Sequence, residues 1–139
     1  ASSFLPYVEV KNASGQSCGL AFHGVPGGHE FTSFILGLYN AAGPGQPIAP
    51  EIREKIQTIS HKVQMQILAS LSCTMCPDLV TAAQRIASLN PLVTAEVYDI
   101  AHFPDLKEKY HVMSVPCLII NQDKTSFGKK NIQQILELI

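Results

Sequence analysis

Two cysteines spaced C-x-x-C, Cys73 and Cys76, stand between a segment that alternates like a β-strand and a segment that reads as a helix. The strand side is Val63, Met65, Ile67 and Ala69, and the helix side runs to about Leu89, closed by Asn90-Pro91. Further strands are expected at Val93 to Ile100, Val115 to Ile120 and Thr125 to Phe127. Short helices are expected at His102 to Tyr110 and Asn131 to Leu138. From Val63 the order is therefore β-α-β-α-β-β-α. Its first part is parallel by the crossover rule, and it ends in a hairpin backed by a helix.

The residues before Val63 echo the end of that order. Phe4 to Val10 and Ser17 to His23 read as a hairpin around Asn12-Ala13-Ser14-Gly15. Gly24-Val25-Pro26-Gly27-Gly28 then leads into a helix from about His29 to Asn40, with Phe31, Phe34, Ile35 and Leu38 at helical spacing. A connector with three prolines, Gly43 to Pro50, precedes a short helix at Glu51 to Ile59. Leu5-Pro6-Tyr7-Val8 resembles Val115-Pro116-Cys117-Leu118, and each is followed by a hairpin, a glycine and a helix. Residues 1–59 thus read as a partial first unit with its connector, and 60–139 as a complete one. The first unit lacks an opening β-α-β, so truncation at the N-terminus is expected.

Composition excludes several functions. Hydrophobic residues are 46% of the chain and charged residues 15%, enough apolar material for a core. A net charge of -1 gives no electrostatic case for nucleic acid or an anionic membrane. No apolar run is long enough to span a bilayer. The first residues lack the pattern of a signal peptide. Four cysteines are too few for a disulfide-stapled secreted scaffold of this length, so the expected compartment is the cytosol.

At the C-x-x-C the first sulfur faces unpaired amides and the positive end of the following helix, which favours a thiolate. Cysteine pKa values in such motifs fall from about 8.5 to roughly 7 or lower, and the thiolate is the attacking species in exchange. Cys76, one turn on, is placed to resolve a mixed disulfide. Pro77 fits an early helical position, where it loses no needed N–H; Thr74 and Met75 lie between the sulfurs. Pro116 reads as an edge-strand proline or a cis-proline, the latter exposing the backbone of Val115 to a partner chain. The competing reading of the pair is half a zinc site completed by Cys18 and Cys117. It is disfavoured because there is no second C-x-x-C and no clustered histidine pair.

Ser70-Leu71-Ser72-Cys73-x-x-Cys76-Pro77-Asp78-Leu79-Val80, then Leu89-Asn90-Pro91, then Met113-x-Val115-Pro116, resembles the N-terminal domain of the alkyl hydroperoxide reductase F subunit. So does Gly24-Val25-Pro26-x-Gly28-His29-Glu30-Phe31-Thr32-Ser33. The resemblance implies an α/β, thioredoxin-like fold in tandem, with the C-x-x-C only in the second unit. It implies relay of electrons from a flavin- and NADH-dependent reductase core to a peroxiredoxin. The FAD and NADH would belong to a core beyond Ile139, with no cofactor in this chain. The isolated module would be monomeric, because the core usually forms the family's oligomer.

By position, the resemblance makes Cys73 the interchange thiol, Cys76 its resolving partner, Pro116 the cis-proline and Glu30 a buried acid assisting the thiol. Many thioredoxins carry an acid six residues before the first cysteine; here that position is Ile67, so a base must come from elsewhere. The plain alternative for Glu30 is a helix-start glutamate favoured by the dipole. Cys117 and Thr74-Met75 depart from the family's usual residues. Cys117 reads as a buried core cysteine, and Cys18 as equally inert. Gly27-Gly28 reads as a hinge-like turn, and His29 as a surface or capping residue. Three functions follow in order of preference: an electron-relay domain, a free-standing glutaredoxin-like protein disulfide oxidoreductase, and a zinc-holding or redox-inactive binding module.

Overall fold

A computed structural model describes residues 6–139. The chain runs β1 (Tyr7–Lys11), β2 (Ser17–His23), α1 (Glu30–Ala42), α2 (Pro50–Gln57), β3 (Val63–Ala69), α3 (Cys76–Leu89), β4 (Val93–Asp99), α4 (Pro104–Lys109), β5 (Cys117–Ile120), β6 (Lys124–Phe127) and α5 (Ile132–Leu136). Each expected element is present, with its ends moved by a few residues. Phe4 and Leu5, the expected start of the first strand, lie outside the described residues.

The strands form one mixed sheet in the order β1-β2-β4-β3-β5-β6. β3 pairs parallel with β4 from Val63↔Val93 to Ala69↔Asp99, as a β-α-β crossover requires. β5 and β6 add as antiparallel strands. The first hairpin joins through a parallel pairing of β2 with β4, Leu20↔Ala95 to His23↔Tyr98, so both halves of the chain share the sheet.

Strand alternation divides the interior. Met65 and Ile67 on β3, Val93, Ala95 and Val97 on β4, and Leu118 on β5 pack with Leu79, Val80, Ala83 and Ile86 of α3. Leu68, Tyr98, Cys117 and Ile119 point to the other face, where they pack with Phe103 and Val112. At the far end of α3, the side chain of buried Asn90 donates to the carbonyls of Ile56 (2.8 Å) and Ile59 (3.1 Å) and accepts from the Leu92 amide (2.9 Å). This is the physical role of the Leu89-Asn90-Pro91 run: it pins α3 to the end of α2.

The internal echo is visible in hydrogen bonds. Gly24 N–H donates to Pro6 O at 2.8 Å, and Gly128 N–H donates to Pro116 O at 3.0 Å. Each glycine closes its own hairpin back onto the proline that opens it.

One face differs from what its pattern implies. On α1 the buried residues are Glu30, Ser33, Gly37 and Asn40. Phe31, Ile35, Leu38 and Tyr39 are exposed, and Phe34 is partly covered. The cause is the packing of α1 directly on α3. A Cβ on Gly37 would lie 2.8 Å from Gln84 Oε1, so the two helices come close at that point.

Candidate active site

The site is built where β3 ends and α3 begins. Ser70 to Met75 form the turn, Cys73 N–H donates to Ser70 O at 3.0 Å, and α3 starts at Cys76 with Pro77 in its first turn. The amide of Cys76 donates to Cys73 Sγ at 3.1 Å. That amide is one of the donors a helix start leaves without an intrahelical partner. A negative sulfur is its natural acceptor, aided by the helix dipole. Cys73 is half-buried, Cys76 is buried, and Thr74 and Met75 are exposed; all four cysteines are free thiols.

Burial pushes the Cys76 thiol far above its ordinary range. Its hydrogen bond with Cys73 pushes the same way, a hydrogen bond from the Ser70 backbone partly offsets this, and the charges of Cys73 and Glu30 add further upward pressure. The two sulfurs are thus unequal: one accessible and held by an amide, the other interior and reluctant to ionise.

Glu30 is fully buried at the first turn of α1. Burial pushes its carboxyl above the usual range, and a hydrogen bond from Ser33 partly offsets this. Ser33 Oγ reaches both Glu30 Oε1 and Glu30 O, while Glu30 Oε2 has no hydrogen-bond partner among the described residues. Ile67 is fully buried in the cluster that includes Cys76. The buried acid whose charge bears on Cys76 thus lies on α1, while the strand position six residues before Cys73 is apolar.

A backbone seam brings α1 to the cysteines. His29 N–H donates to Leu71 O at 2.9 Å, and Gly28 has φ +54°. A Cβ on Gly28 would lie 2.6 Å from Leu71 O, a separation real atoms do not tolerate. Gly27-Gly28 is thus the contact between the first half of the chain and the motif loop, more than a hinge-like turn. His29 is the N-cap residue but makes no side-chain cap bond; it acts through its amide. Gly28→Ala is expected to destabilise the chain by about 1–3 kcal/mol, read as a lower denaturation midpoint with an unchanged slope.

The Val115–Pro116 peptide bond is cis. The β3–β5 register ends at Leu68↔Cys117, and continuing it sets Val115 alongside Ser70 at the edge of the motif turn. Pro116 is buried and Val115 half-buried.

The zinc reading needs Cys18 and Cys117 beside the pair. Cys117 packs on the sheet face opposite Cys76, and Cys18 lies on β2. Among the described residues no group of three or more histidine, cysteine or acidic side chains is placed to hold a metal ion. Burial pushes the Cys117 thiol up to about 11, partly offset by Lys130. At neutral pH Cys117 is therefore expected to resist iodoacetamide in the folded chain and to react only after denaturation, as peptide mapping would show.

Sequence reasoning missed Ser33 and the Gly28–Leu71 seam. The E-x-x-S spacing, one helical turn, was the available signal for Ser33. Among the described residues no helix is long and apolar enough to cross a membrane.

A model of the thioredoxin domain family matches residues 63–139. The F subunit of alkyl hydroperoxide reductase in Pseudomonas aeruginosa is 35% identical over 92% of this chain and 25% of its own length. The chain spans about a quarter of the length of the curated relatives it matches. The crystal structure of the NTD_N/C domain of alkyl hydroperoxide reductase AhpF from Enterococcus faecalis superposes with a TM-score of 0.92 at 41% identity, covering 96% of this chain and 64% of that one. A protein disulfide oxidoreductase from Aeropyrum pernix gives 0.84 at 23% identity, over 99% of this chain and 61% of that one, a likeness of fold alone. Sequence and fold agree that the chain belongs to the thioredoxin domain family, and its whole fold is similar to that of the NTD_N/C domain of AhpF.

Proposed function

We propose that the chain is a thiol–disulfide relay domain that carries electrons from a flavin- and NADH-dependent reductase core to a peroxiredoxin. The observation that carries the reading is the Cys76 amide bonded to Cys73 Sγ at the head of α3. Cys73 attacks the partner's disulfide as a thiolate, forming a mixed disulfide and releasing the partner's other sulfur as thiolate. Cys76 then gives up its proton and attacks Cys73, which closes the intramolecular disulfide and frees the partner as a dithiol. Two electrons pass in total; Cys76 supplies one proton, the second comes from the solvent that took the Cys73 proton, and the flavoprotein restores the dithiol.

Glu30 is the proton acceptor for Cys76, because a buried thiol that resists ionisation needs a base within the protein. Pro116 and Val115 border the turn and offer backbone to a bound partner chain. Thr74, Met75 and Pro77 shape the turn between and after the sulfurs. The division into a partial first unit over 1–59 and a redox-active unit over 60–139 fits the repeated proline-to-glycine hydrogen bond and the Gly28–Leu71 seam. The flavin and the nicotinamide bind the reductase core, and no residue of this chain is assigned to either. A cytoplasmic location and a monomeric module accord with this role.

The test is coupled turnover. The oxidised chain is mixed with NADH, a flavoprotein core and a disulfide-form peroxiredoxin, and peroxide consumption is followed. Turnover that depends on the chain supports the relay. Reduction of many unrelated disulfides, with none of the flavoprotein or peroxiredoxin preferred, supports a free-standing oxidoreductase instead.

A further inference from the structure

We propose that Ser33 is the positioning residue that lets Glu30 take up and release a proton without leaving its bonded oxygen unpaired in the interior. The proposal rests on the reading of Glu30 as the proton acceptor for Cys76. Ser33 is 1% exposed and sits one turn along α1 from Glu30. Its Oγ lies within bonding distance of two acceptors, Glu30 O at 3.0 Å and Glu30 Oε1. A hydroxyl has one proton to donate and lone pairs with which to accept. With Glu30 ionised, the Ser33 hydroxyl donates to Oε1. With Glu30 protonated, the protonated carboxyl oxygen takes the place beside Ser33 Oγ and donates to it, and the hydroxyl turns to donate to Glu30 O. Both protonation states keep a carboxyl oxygen bonded at that position. A turn of the hydroxyl and a half-turn of the carboxyl separate them.

This matters because the pocket offers the carboxyl little else. Among the described residues Oε2 has no partner, so Ser33 is the anchor of the whole group. A buried carboxylate stripped of its donor is strongly disfavoured. Across the seam, the titratable group that Glu30 bears on is Cys76 of α3, and Cys73 of the motif loop is bonded to Cys76. Asp78 at the start of α3 is exposed and pairs with Lys129 at 3.7 Å. His29, the N-cap residue of α1, is the titratable neighbour along the chain.

In the resolving step the S–H proton of Cys76 passes to the carboxylate. The sulfur's electron pair closes the Cys73–Cys76 bond, the Cys73–partner bond breaks, and the partner leaves as thiolate. Oε2 is the oxygen free to receive that proton. A half-turn of the carboxyl then presents the proton to Ser33, and the hydroxyl turns with it.

The experiment is a pair of titrations on the full chain: the carboxyl carbon of Glu30 by NMR, and the pH profile of the resolving step. Ser33→Ala is expected to move the Glu30 midpoint and the acid limb of the rate upward together. The expected shift is about one pH unit, the size produced when a charged group loses its hydrogen bond, or about a tenfold loss of rate on the acid side of the limb. Ser33→Thr restores both. A folded Ser33→Ala chain with an unmoved midpoint overturns the proposal. Should the alanine variant not fold, Ser33→Thr and Ser33→Val, matched in shape, separate hydroxyl from packing: equal midpoints in the two overturn it, and a higher one in the valine variant supports it. Glu30→Gln separates the two claims. If it leaves the acid limb in place, the assignment of Glu30 is wrong and Ser33 falls with it. If it removes the limb while Ser33→Ala leaves the Glu30 midpoint unmoved, only the role of Ser33 is lost.

Discussion

A Cys73→Ser chain is expected to lose thiol–disulfide exchange by on the order of 10³-fold or more, while Cys76→Ser accumulates a stable mixed disulfide with its partner. The asymmetry follows from the geometry. The half-buried Cys73 receives the Cys76 amide at 3.1 Å, so its sulfur is both reachable and held by a donor at the start of α3. Removing its sulfur removes the nucleophile. Cys76 is buried, and its thiol is pushed well above the ordinary range, chiefly by burial. Removing its sulfur spares the first attack but leaves nothing to resolve the adduct. Non-reducing electrophoresis with a disulfide-form peroxiredoxin reads both outcomes: an adduct band with Cys76→Ser and none with Cys73→Ser. An adduct formed through Cys76 in the Cys73→Ser chain would reverse the assignment.

Glu30→Gln is expected to slow the resolving step by about 10²-fold or more, the range over which a positioned proton acceptor contributes. The same change should raise the thermal midpoint at neutral pH. The sign follows from linkage. Burial raises the carboxyl's pKa in the folded chain above its unfolded value. Between those two values the folded state binds more protons than the unfolded state, so stability falls as pH rises through the window. The stabilisation is fully present below the unfolded value of about 4.3 and is lost as pH climbs through the raised folded value. Glutamine has no such titration, so its midpoint should exceed the wild type's at pH 7, and the gap should close near pH 4. An interior group that costs stability where it works is the expected signature of a functional acid. A Glu30→Gln chain with unchanged exchange would remove Glu30 from the mechanism.

Much of this was legible in the sequence because the signals are local. The alternation of Val63 to Ala69, the proline after Cys76 and the Leu89-Asn90-Pro91 stop place β3 and α3 without reference to the rest of the chain. Pro116 and Cys117 were legible for the same reason. A proline at the head of a strand has few conformations open to it, and strand alternation assigns Cys117 to a face. What escaped was set by contacts between distant segments. The pairing of β2 with β4 joins residues more than seventy positions apart, and neither strand carries a mark of its partner. On α1 the periodicity of Phe31, Ile35 and Leu38 established a helix but not its inward face. That face, with Glu30, Ser33, Gly37 and Asn40, is the one packed on α3, where Gly37 lies against Gln84. Gly28 read as a turn because a glycine's need for space shows only once Leu71 is seen against it.

The central claim is that one sulfur is held ready at the start of α3 and closes onto its neighbour one turn away. Alkylation of the reduced chain at neutral pH, timed residue by residue by mass spectrometry, and followed by disulfide mapping of the oxidised chain, tests it most directly. Cys73 should be the first sulfur modified, faster than free cysteine, and oxidation should link Cys73 to Cys76 alone. If Cys73 reacts no faster than free cysteine and no Cys73–Cys76 bond forms, the claim is contradicted.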